Sequence, residues 1–311
     1  MRKKIMVVVL TMFMLLSTSC TKYMKEDNKN IIYEATGQTL ASNILCKPEE
    51  ENLSNFYKEH EDSLQVKLDD LAECKDFNPS AVGYTSLWES ILVKPIAWLI
   101  LKLGQVVSNY GISVMLISVL IRALMIPLSK KSMSQTENMK KAQPELARIE
   151  KKYANKQDQE SMMAKSQEMM MVYKKYDINP ISGCLVAFIQ LPLFFAFLEA
   201  INRVPAIFEG TLLNMNLGMT PLVGLSQGNY IYIVLIILII LSTYVSFKHT
   251  MSTQPNNDAA GQMKFMMMFM LVMISVASLS LPTAIALYWV VNNIFAIVQN
   301  IIIKKSNERR K

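Results

Sequence analysis

The feature that most constrains this chain is an uncharged apolar stretch of 39 residues, from Phe265 to Ile303. A helix of that length would measure roughly 58 Å at about 1.5 Å per residue, about twice the thickness of a bilayer core. The stretch must therefore cross a membrane twice. Pro282 marks the turn because proline interrupts a helix, which predicts spans at 265–281 and 283–303.

Three further apolar runs bring the prediction to five spans, so the fold class is an all-α integral membrane protein. These runs lie at 112–129, 181–201 and 230–247. The composition agrees, since only 18% of residues are charged, against about 25% in soluble domains. The apolar segment 87–107 is instead predicted to be an external amphipathic helix on the membrane surface. Lys94 and Lys102 interrupt it, and Trp88 and Trp98 favour the interface.

The N-terminus has the pattern of a bacterial lipoprotein signal peptide. A basic start is followed by an apolar run, Ile5–Leu16, and by small residues before Cys20. We therefore predict a signal peptide at 1–19 and lipidation of Cys20 with palmitate. An ordinary signal peptide or an uncleaved anchor is the alternative, and each interpretation leaves Thr21 outside the cytoplasm.

The segment 20–86 is polar and is predicted to be an external tether or a small helical cap. Fourteen acidic residues outnumber eight lysines between Thr21 and Lys94. Cys46 and Cys74 both lie in this segment, and either they pair in an oxidising exterior or they remain free thiols.

The distribution of basic residues predicts the orientation of the spans. The loop 130–178 holds eleven Lys and Arg residues and the tail 304–311 holds five, whereas the loop 202–229 holds only Arg203. Basic loops remain in the cytoplasm. The N-terminus is therefore predicted to be outside a bacterial plasma membrane, with the loop 248–264 and the C-terminus inside.

The first inner loop, 130–178, is predicted to be an antiparallel helical hairpin with an apolar seam. Apolar residues recur there at spacings of three and four, and a polar break at 155–158 separates two stretches. Pro144 is expected to bend or restart the first helix. The residues expected in the seam are Met139, Ala142, Leu146, Ile149, Tyr153, Met162, Met169, Val172 and Tyr176.

Arg122 is the candidate functional residue with the clearest physical argument. It lies about six residues from the inner end of its predicted span, where an arginine costs about 2.5–3.5 kcal/mol on insertion scales. It either snorkels to the inner surface or faces a wetted cavity among the helices. Gln190 is a polar residue in the middle of the second span, where an amide needs a hydrogen-bond partner. In the last span Tyr288, Asn292 and Gln299 form a polar stripe that should face inward.

No motif in the chain indicates catalysis, a metal centre or a cofactor. The motifs instead resemble the YidC/Oxa/Alb membrane protein insertases, in the five-span form that begins with a lipoprotein signal. The resemblance covers about residues 85–305, although the polar segment before it is longer than the family pattern. The motifs that carry it are Ile121–Leu128 around Arg122, Gln143-Pro144-Glu145, Asn179-Pro180 with Gly183-Cys184, Gln190-Leu191-Pro192, and Pro282 followed by Tyr288-Trp289, Asn293 and Gln299.

The resemblance implies a non-enzymatic insertase and chaperone that places nascent membrane proteins in the bilayer, alone or with the Sec translocon. Such proteins hold a hydrophilic groove that is closed on the outside, with an arginine at its floor. Carried over, that arginine is Arg122, and Gln190 lines the same groove; Tyr288 and Asn292 are further candidates. The basic hairpin and tail would meet the ribosome or anionic lipid, and no DNA.

Two other classes of function compete with this one. A small-solute transporter or channel usually has inverted repeats, and five spans do not divide evenly. A structural anchor that recruits a partner outside would leave Arg122 and the hairpin without a purpose.

Overall fold

The computed structural model of this protein describes residues 21–80, 86–156, 158–251 and 258–308. The chain forms two compact units, each made of several segments. The first comprises Met1–Leu120, Leu191–Ile240 and Ser275–Asn292, and the second Ile121–Gln190, Leu241–Ile274 and Asn293–Lys311. The signal peptide predicted at 1–19 and Cys20 lie outside the described residues.

Long helices occupy every segment where the sequence predicts a span. The long helices of the described residues, with and without a predicted span, are α2 (Lys94–Val107), α3 (Tyr110–Leu124), α4 (Ile126–Tyr153), α5 (Gln159–Lys175), α6 (Pro180–Asn202), α9 (Ile231–Met251), α10 (Asp258–Ala277) and α11 (Thr283–Glu308). A π-helical turn, Glu89–Val93, leads into α2. Shorter helices are α1 (Glu51–Glu59), α7 (Pro205–Glu209) and α8 (Pro221–Ser226).

Length and hydropathy identify three described helices that could each cross a membrane: Glu89–Val107, Ile231–Lys248 and Thr283–Ile303. The pair Tyr110–Leu124 and Ile126–Tyr153, bent by 50°, would make a fourth span. The described chain is thus that of a mainly helical, multi-pass membrane protein. The count of five spans stays a prediction. So does the surface position of 87–107, because that segment is itself long and apolar enough to cross.

Residues 21–80, called the cap below, fold as a small domain with its own apolar core. Two antiparallel hairpins pair β1 (Lys25–Glu26) with β2 (Lys29–Asn30) and β3 (Ile32–Tyr33) with β4 (Gln38–Thr39). The core residues are Met24, Ile31, Leu40, Ala41, Ile44, Leu53, Tyr57 and Leu68. The segment is therefore a folded cap rather than a tether, and because β-hairpins accompany its helix, the all-α fold class does not extend to it.

A disulfide joins Cys46 to Cys74 inside the cap, with a distance of 2.05 Å between the two sulfurs. Both cysteines are fully buried. The backbone N–H of Lys47 donates to the carbonyl of Ala72 at 2.9 Å, which adds a hydrogen bond beside the disulfide. Of the two alternatives left open by the sequence, the structure contains the paired cysteines.

The segment 202–229 is folded rather than a simple loop. Between α7 and α8 it forms a hairpin of β5 (Thr211–Leu212) and β6 (Met215–Asn216). Gly224 packs against the ring of Tyr232, where an added Cβ would lie 2.2 Å from a ring carbon. The Tyr232 side chain is fully buried and its hydroxyl accepts from the Asn216 N–H at 3.1 Å. These contacts fix the segment to the start of α9.

The predicted helical hairpin is present in the second unit as α4 and α5. Its core contains Ala142, Leu146, Ile149, Tyr153, Val172 and Ile178, with Met139, Met169 and Tyr176 packed against it. Two expectations were wrong. Met162 is 57% exposed and lies outside the seam. The helix also runs through Pro144 without a break, so it does not restart there.

Matching hydrogen bonds join the two helices of the hairpin near its two ends. Glu168 on α5 accepts from the ammonium of Lys152 at 2.5 Å and from the Tyr153 hydroxyl at 2.9 Å. In the opposite direction, Glu145 on α4 accepts from Lys175 at 2.6 Å and from Tyr176 at 2.8 Å. Each carboxylate therefore binds a Lys-Tyr pair of the other helix, which fixes their register.

Candidate functional site

Arg122 lies two residues before the end of α3, next to a sharp bend in the chain. The bend of 50° separates Tyr110–Leu124 from Ile126–Tyr153. Pro127 explains it, because proline has no N–H and its ring displaces the carbonyl four residues earlier. The Met125 N–H still donates to the carbonyls of Ile121 at 3.2 Å and Arg122 at 3.1 Å. Arg122 is partly exposed and lies beside the bend between α3 and α4. The sequence instead predicts one unbroken span here.

Gln190 lies in the middle of α6 and belongs to the same unit as Arg122. Its side chain is partly exposed, and Pro192 follows two residues later inside the helix. Arg122, predicted for the groove floor, and Gln190, predicted to line the same groove, are therefore on two helices of one unit. Neither is sealed in an apolar core.

Tyr288 and Asn292 belong to the first unit and are packed among helices. The ring of Tyr288, only 5% exposed, stacks on Phe197 with 4.2 Å between ring centroids. The side-chain amide of Asn292 donates to the backbone carbonyl of Tyr288 at 2.8 Å. Trp289 contacts Phe194 edge-on at 5.6 Å. These aromatic rings join α6 to α11.

The polar stripe on α11 faces inward as the sequence predicts. Asn292 and Gln299 are 8% and 9% exposed. Within the described part of the chain, the Gln299 side-chain nitrogen is buried without a hydrogen-bond partner. Asn293 also bonds across helices, donating to the Thr243 hydroxyl of α9 at 3.0 Å.

The structure also contains a cluster of four buried charges that the sequence argument missed. It comprises Glu89, Lys94, Glu199 and Arg203, called the external charge cluster below, and each is at most 7% exposed. Arg203 donates through Nη1 to Glu199 at 2.9 Å and through Nη2 to Glu89 at 2.8 Å. Lys94 lies 3.8 Å from the same Glu89 oxygen. Two acids and two bases balance, which makes the burial tolerable.

Neighbouring groups complete the hydrogen bonding of this cluster. The indole N–H of Trp88 donates to Glu199 at 2.9 Å, and Nε of Arg203 donates to the Asn43 carbonyl of the cap at 2.6 Å. Only the spacing of Glu199 and Arg203, four residues apart at the end of α6, could have suggested an ion pair. Asn43 and Glu89 are 160 and 114 residues from Arg203, so no local pattern reveals their contact.

The described residues contain no group of three or more His, Cys, Asp or Glu side chains that could hold a metal ion. What the site offers is therefore charge, hydrogen bonding and partly exposed polar surface on membrane helices.

The chain is similar in sequence to a family of membrane proteins and to several of its members. Residues 102–310 match the family described as 60Kd inner membrane protein. The membrane protein insertase YidC of Oceanobacillus iheyensis is 34% identical over 247 residues, which is 78% of this chain and 93% of that protein. MisCA, a membrane protein insertase of Bacillus subtilis, is 33% identical over 236 residues, covering 75% of this chain and 86% of its own length.

A similar level of identity is found with YidC 2, a membrane protein insertase of Bacillus anthracis, at 34% over 235 residues, 75% of this chain and 88% of that one. A crystal structure of an active YidC insertase with its first transmembrane domain resolved aligns with a TM-score of 0.49 and 22% identity. The alignment covers 79% of this chain, and this chain spans 51% of that one.

Proposed function

Because this chain belongs to the YidC/Oxa/Alb family of membrane protein insertases, we propose that it inserts nascent membrane proteins into the bilayer. Relatives that align over most of their own length are named for this activity. The match supports insertion and does not support a small-solute transporter or channel. A non-covalent function also agrees with the absence of any catalytic motif in the sequence.

We infer that the second unit holds the surface on which a client enters. The observation that carries this proposal is the position of Arg122, a partly exposed guanidinium beside a bend in a membrane helix. A charge at that depth is stable only if water or polar groups reach it. Together with Gln190, it would form the floor of a hydrophilic groove open to the cytoplasm and to lipid.

Such a groove shortens the apolar distance that the external segment of a client must cross. Arg122 would pair with an acidic residue on that segment during transfer. The client's own spans would then move into lipid, driven by burial of apolar surface at about 25 cal/mol per Å². Tyr288 and Asn292 stay groove candidates from the family resemblance, and their buried side chains pack within the first unit.

The lipid anchor, the orientation in the membrane and the partners of the protein are also proposals. We propose that Cys20 carries a lipid anchor, that the N-terminus is outside a bacterial plasma membrane and that the C-terminus is cytoplasmic. The segment 87–107 would lie on the outer surface, since its face away from the protein carries Ile91, Trp98 and Val106 exposed, which suits an interface. The hairpin and the tail 304–311 would meet the ribosome, and the Sec translocon is a further partner.

A depletion experiment tests the role of Arg122. Cells depleted of the protein should fail to insert short-tailed membrane proteins, Arg122→Lys should restore part of the insertion, and Arg122→Ala should restore little. The charge, rather than the side-chain volume, is the expected requirement. Lys58→Ala, which removes an exposed positive charge from the cap, is the control and should restore insertion. Full rescue by Arg122→Ala would remove the charge from the mechanism.

A further inference from the structure

The external end of α6 is held by contacts that the proposed groove does not use. Arg203, just beyond that end, bonds in three directions. Its Nη1 reaches Glu199 on the last turn of α6, its Nη2 reaches Glu89 before α2, and its Nε reaches the Asn43 carbonyl of the cap. A planar guanidinium is suited to such a junction, because its five donors point in fixed directions.

The cap also donates a backbone hydrogen bond to Arg203. The Leu45 N–H donates to the backbone carbonyl of Arg203 at 2.8 Å. Cys46 comes next in the chain and is disulfide-bonded to Cys74. The segment 43–46, which bonds Arg203, is therefore covalently tied to Cys74 of the cap.

A second attachment lies a few residues further along the cap. The carboxylate of Glu209 accepts from the backbone N–H groups of Glu49 at 2.9 Å and Glu50 at 3.0 Å, at the start of α1. A negative charge at this point complements the helix dipole. Burial raises the pKa of the Glu209 carboxyl, while the N–H groups of Glu50 and Glu49 oppose that rise. The cap is thus fixed to the segment 203–229 on both sides of its disulfide.

We propose that Arg203 is the positioning residue of a clasp, formed by the cap and the external charge cluster, that closes the external end of α6. Opening this end would separate buried charges, and a buried charge that loses its partner is strongly destabilised. The closed arrangement is therefore held by its own electrostatics. The cap lies outside residues 102–310, the region that matches the family, whereas Glu199 and Arg203 lie inside it, so the clasp joins a segment outside the match to the matched region.

The disulfide makes formation of the clasp depend on export of the cap. Cysteines pair in an oxidising exterior and stay reduced in the cytoplasm. The segment 43–46 would therefore reach its fixed form only after the cap has been exported. The inference rests on the proposed function in one respect: a closed external end would confine a client to the cytoplasmic and lipid sides.

Hydrogen exchange on the full-length protein in lipid nanodiscs measures the clasp directly. Arg203→Met should accelerate exchange of the Leu45 amide by roughly tenfold or more, because the buried carboxylates lose their cation. Lys58→Met, which removes an exposed lysine from the cap, is the matched control and should leave exchange at Leu45 unchanged. Cys46→Ser with Cys74→Ser should also accelerate exchange at Leu45.

A charge-balanced variant is used if Arg203→Met does not fold. The double variant Glu199→Gln with Arg203→Gln removes one acid and one base together and keeps the pair of Glu89 and Lys94. No net charge is left buried, yet the link from Arg203 to Asn43 is lost. Faster exchange at Leu45 in this variant supports the clasp, and unchanged exchange in a folded Arg203 variant overturns it.

Insertion of a single-span client into proteoliposomes is measured on the same preparations. Arg203 variants should lose at least about half of the insertion, in proportion to the loosening at Leu45. Normal insertion despite fast exchange overturns the positioning role. Arg122→Ala separates this inference from the proposed function, because it should lower insertion without changing exchange at Leu45. Normal insertion by Arg122→Ala would count against the groove alone.

Discussion

Arg122 and Arg203 illustrate how position along a helix changes what an arginine does. Arg203 is 4% exposed and bonded to two carboxylates, so its charge is neutralised inside the protein. Arg122 is partly exposed and adjoins the bend at Met125, which suits contact with a transient partner. The first arrangement holds a structure together, and under the proposed function the second would let an acidic client segment bind and leave.

The hydrogen bond between Asn293 and Thr243 should contribute modestly to stability. The amide donates to the hydroxyl at 3.0 Å and joins α9 to α11. Such bonds in membrane proteins average about 0.6 kcal/mol, with a maximum near 1.7. We expect a coupling energy in that range from a double-mutant cycle of Thr243→Val and Asn293→Ala, measured by unfolding in mixed micelles.

Tyr244 supplies the control for this cycle. It adjoins Thr243 on α9 and is 45% exposed, so Tyr244→Phe should show no coupling to Asn293→Ala. A coupling near zero for Thr243 as well would contradict the bond.

Single residues also mark the limit of prediction from sequence. Arg122 stands out because a charge interrupts an apolar run. Glu199 and Arg203 also interrupt the pattern, but they lie near a predicted boundary, where charges are ordinary. Glu199 and Arg203 are buried against Glu89 and Asn43, which are distant in sequence and come into contact with them only in the folded chain.

Among the secondary-structure elements, the hairpin was the most predictable. Its apolar residues recur with a helical period, and that period fixes the buried face whatever surrounds it. The error at Met162 arose because a run of adjacent methionines supports more than one register. The cap was the least predictable element, because strands of two residues show no alternation and its core depends on contacts between separate turns.

Acid should weaken the hairpin. The pKa of Glu145 lies below its ordinary value because it is hydrogen-bonded to Lys175 and Tyr176, and that of Glu168 is lowered by Lys152 and Tyr153. A carboxyl with a lowered folded pKa stabilises the fold above its ordinary value of 4.5, and this contribution is lost as pH falls through the folded pKa. Hydrogen-exchange protection factors in the seam should therefore decrease between about pH 5 and pH 3.

Replacing both carboxylates by amides should remove most of this pH dependence. The variant is Glu145→Gln with Glu168→Gln, and the control is Glu160→Gln, an exposed glutamate in the first turn of α5. Equal pH dependence in the wild type and the double variant would show that other groups control the hairpin.

The tail 304–311 should contribute a salt-dependent part of ribosome binding. It carries five basic residues, and each contact with RNA phosphate releases a counterion. Replacing all five by glutamine should reduce the slope of log affinity against log salt by up to about 4 in a co-sedimentation assay. Unchanged sedimentation would assign the tail to anionic lipid instead.

For the whole molecule, the multi-pass architecture and the orientation of the basic loops follow from composition and charge. The family match agrees with the former and leaves the latter a prediction. Cysteine accessibility tests the orientation: Lys58→Cys in the cap should react with an impermeant thiol reagent outside intact cells. Arg148→Cys in the hairpin should react only after the membrane is opened. The opposite pattern would reverse the topology.

The proposed function requires that Arg122 meets a client during insertion. A photo-crosslinking amino acid at position 122, in the full-length protein with stalled ribosomes that carry a single-span client, measures this contact. We predict crosslinks to the client from positions 122 and 190 and none from position 58 of the cap. Crosslinks from position 58 with none from position 122 would exclude the proposed contact.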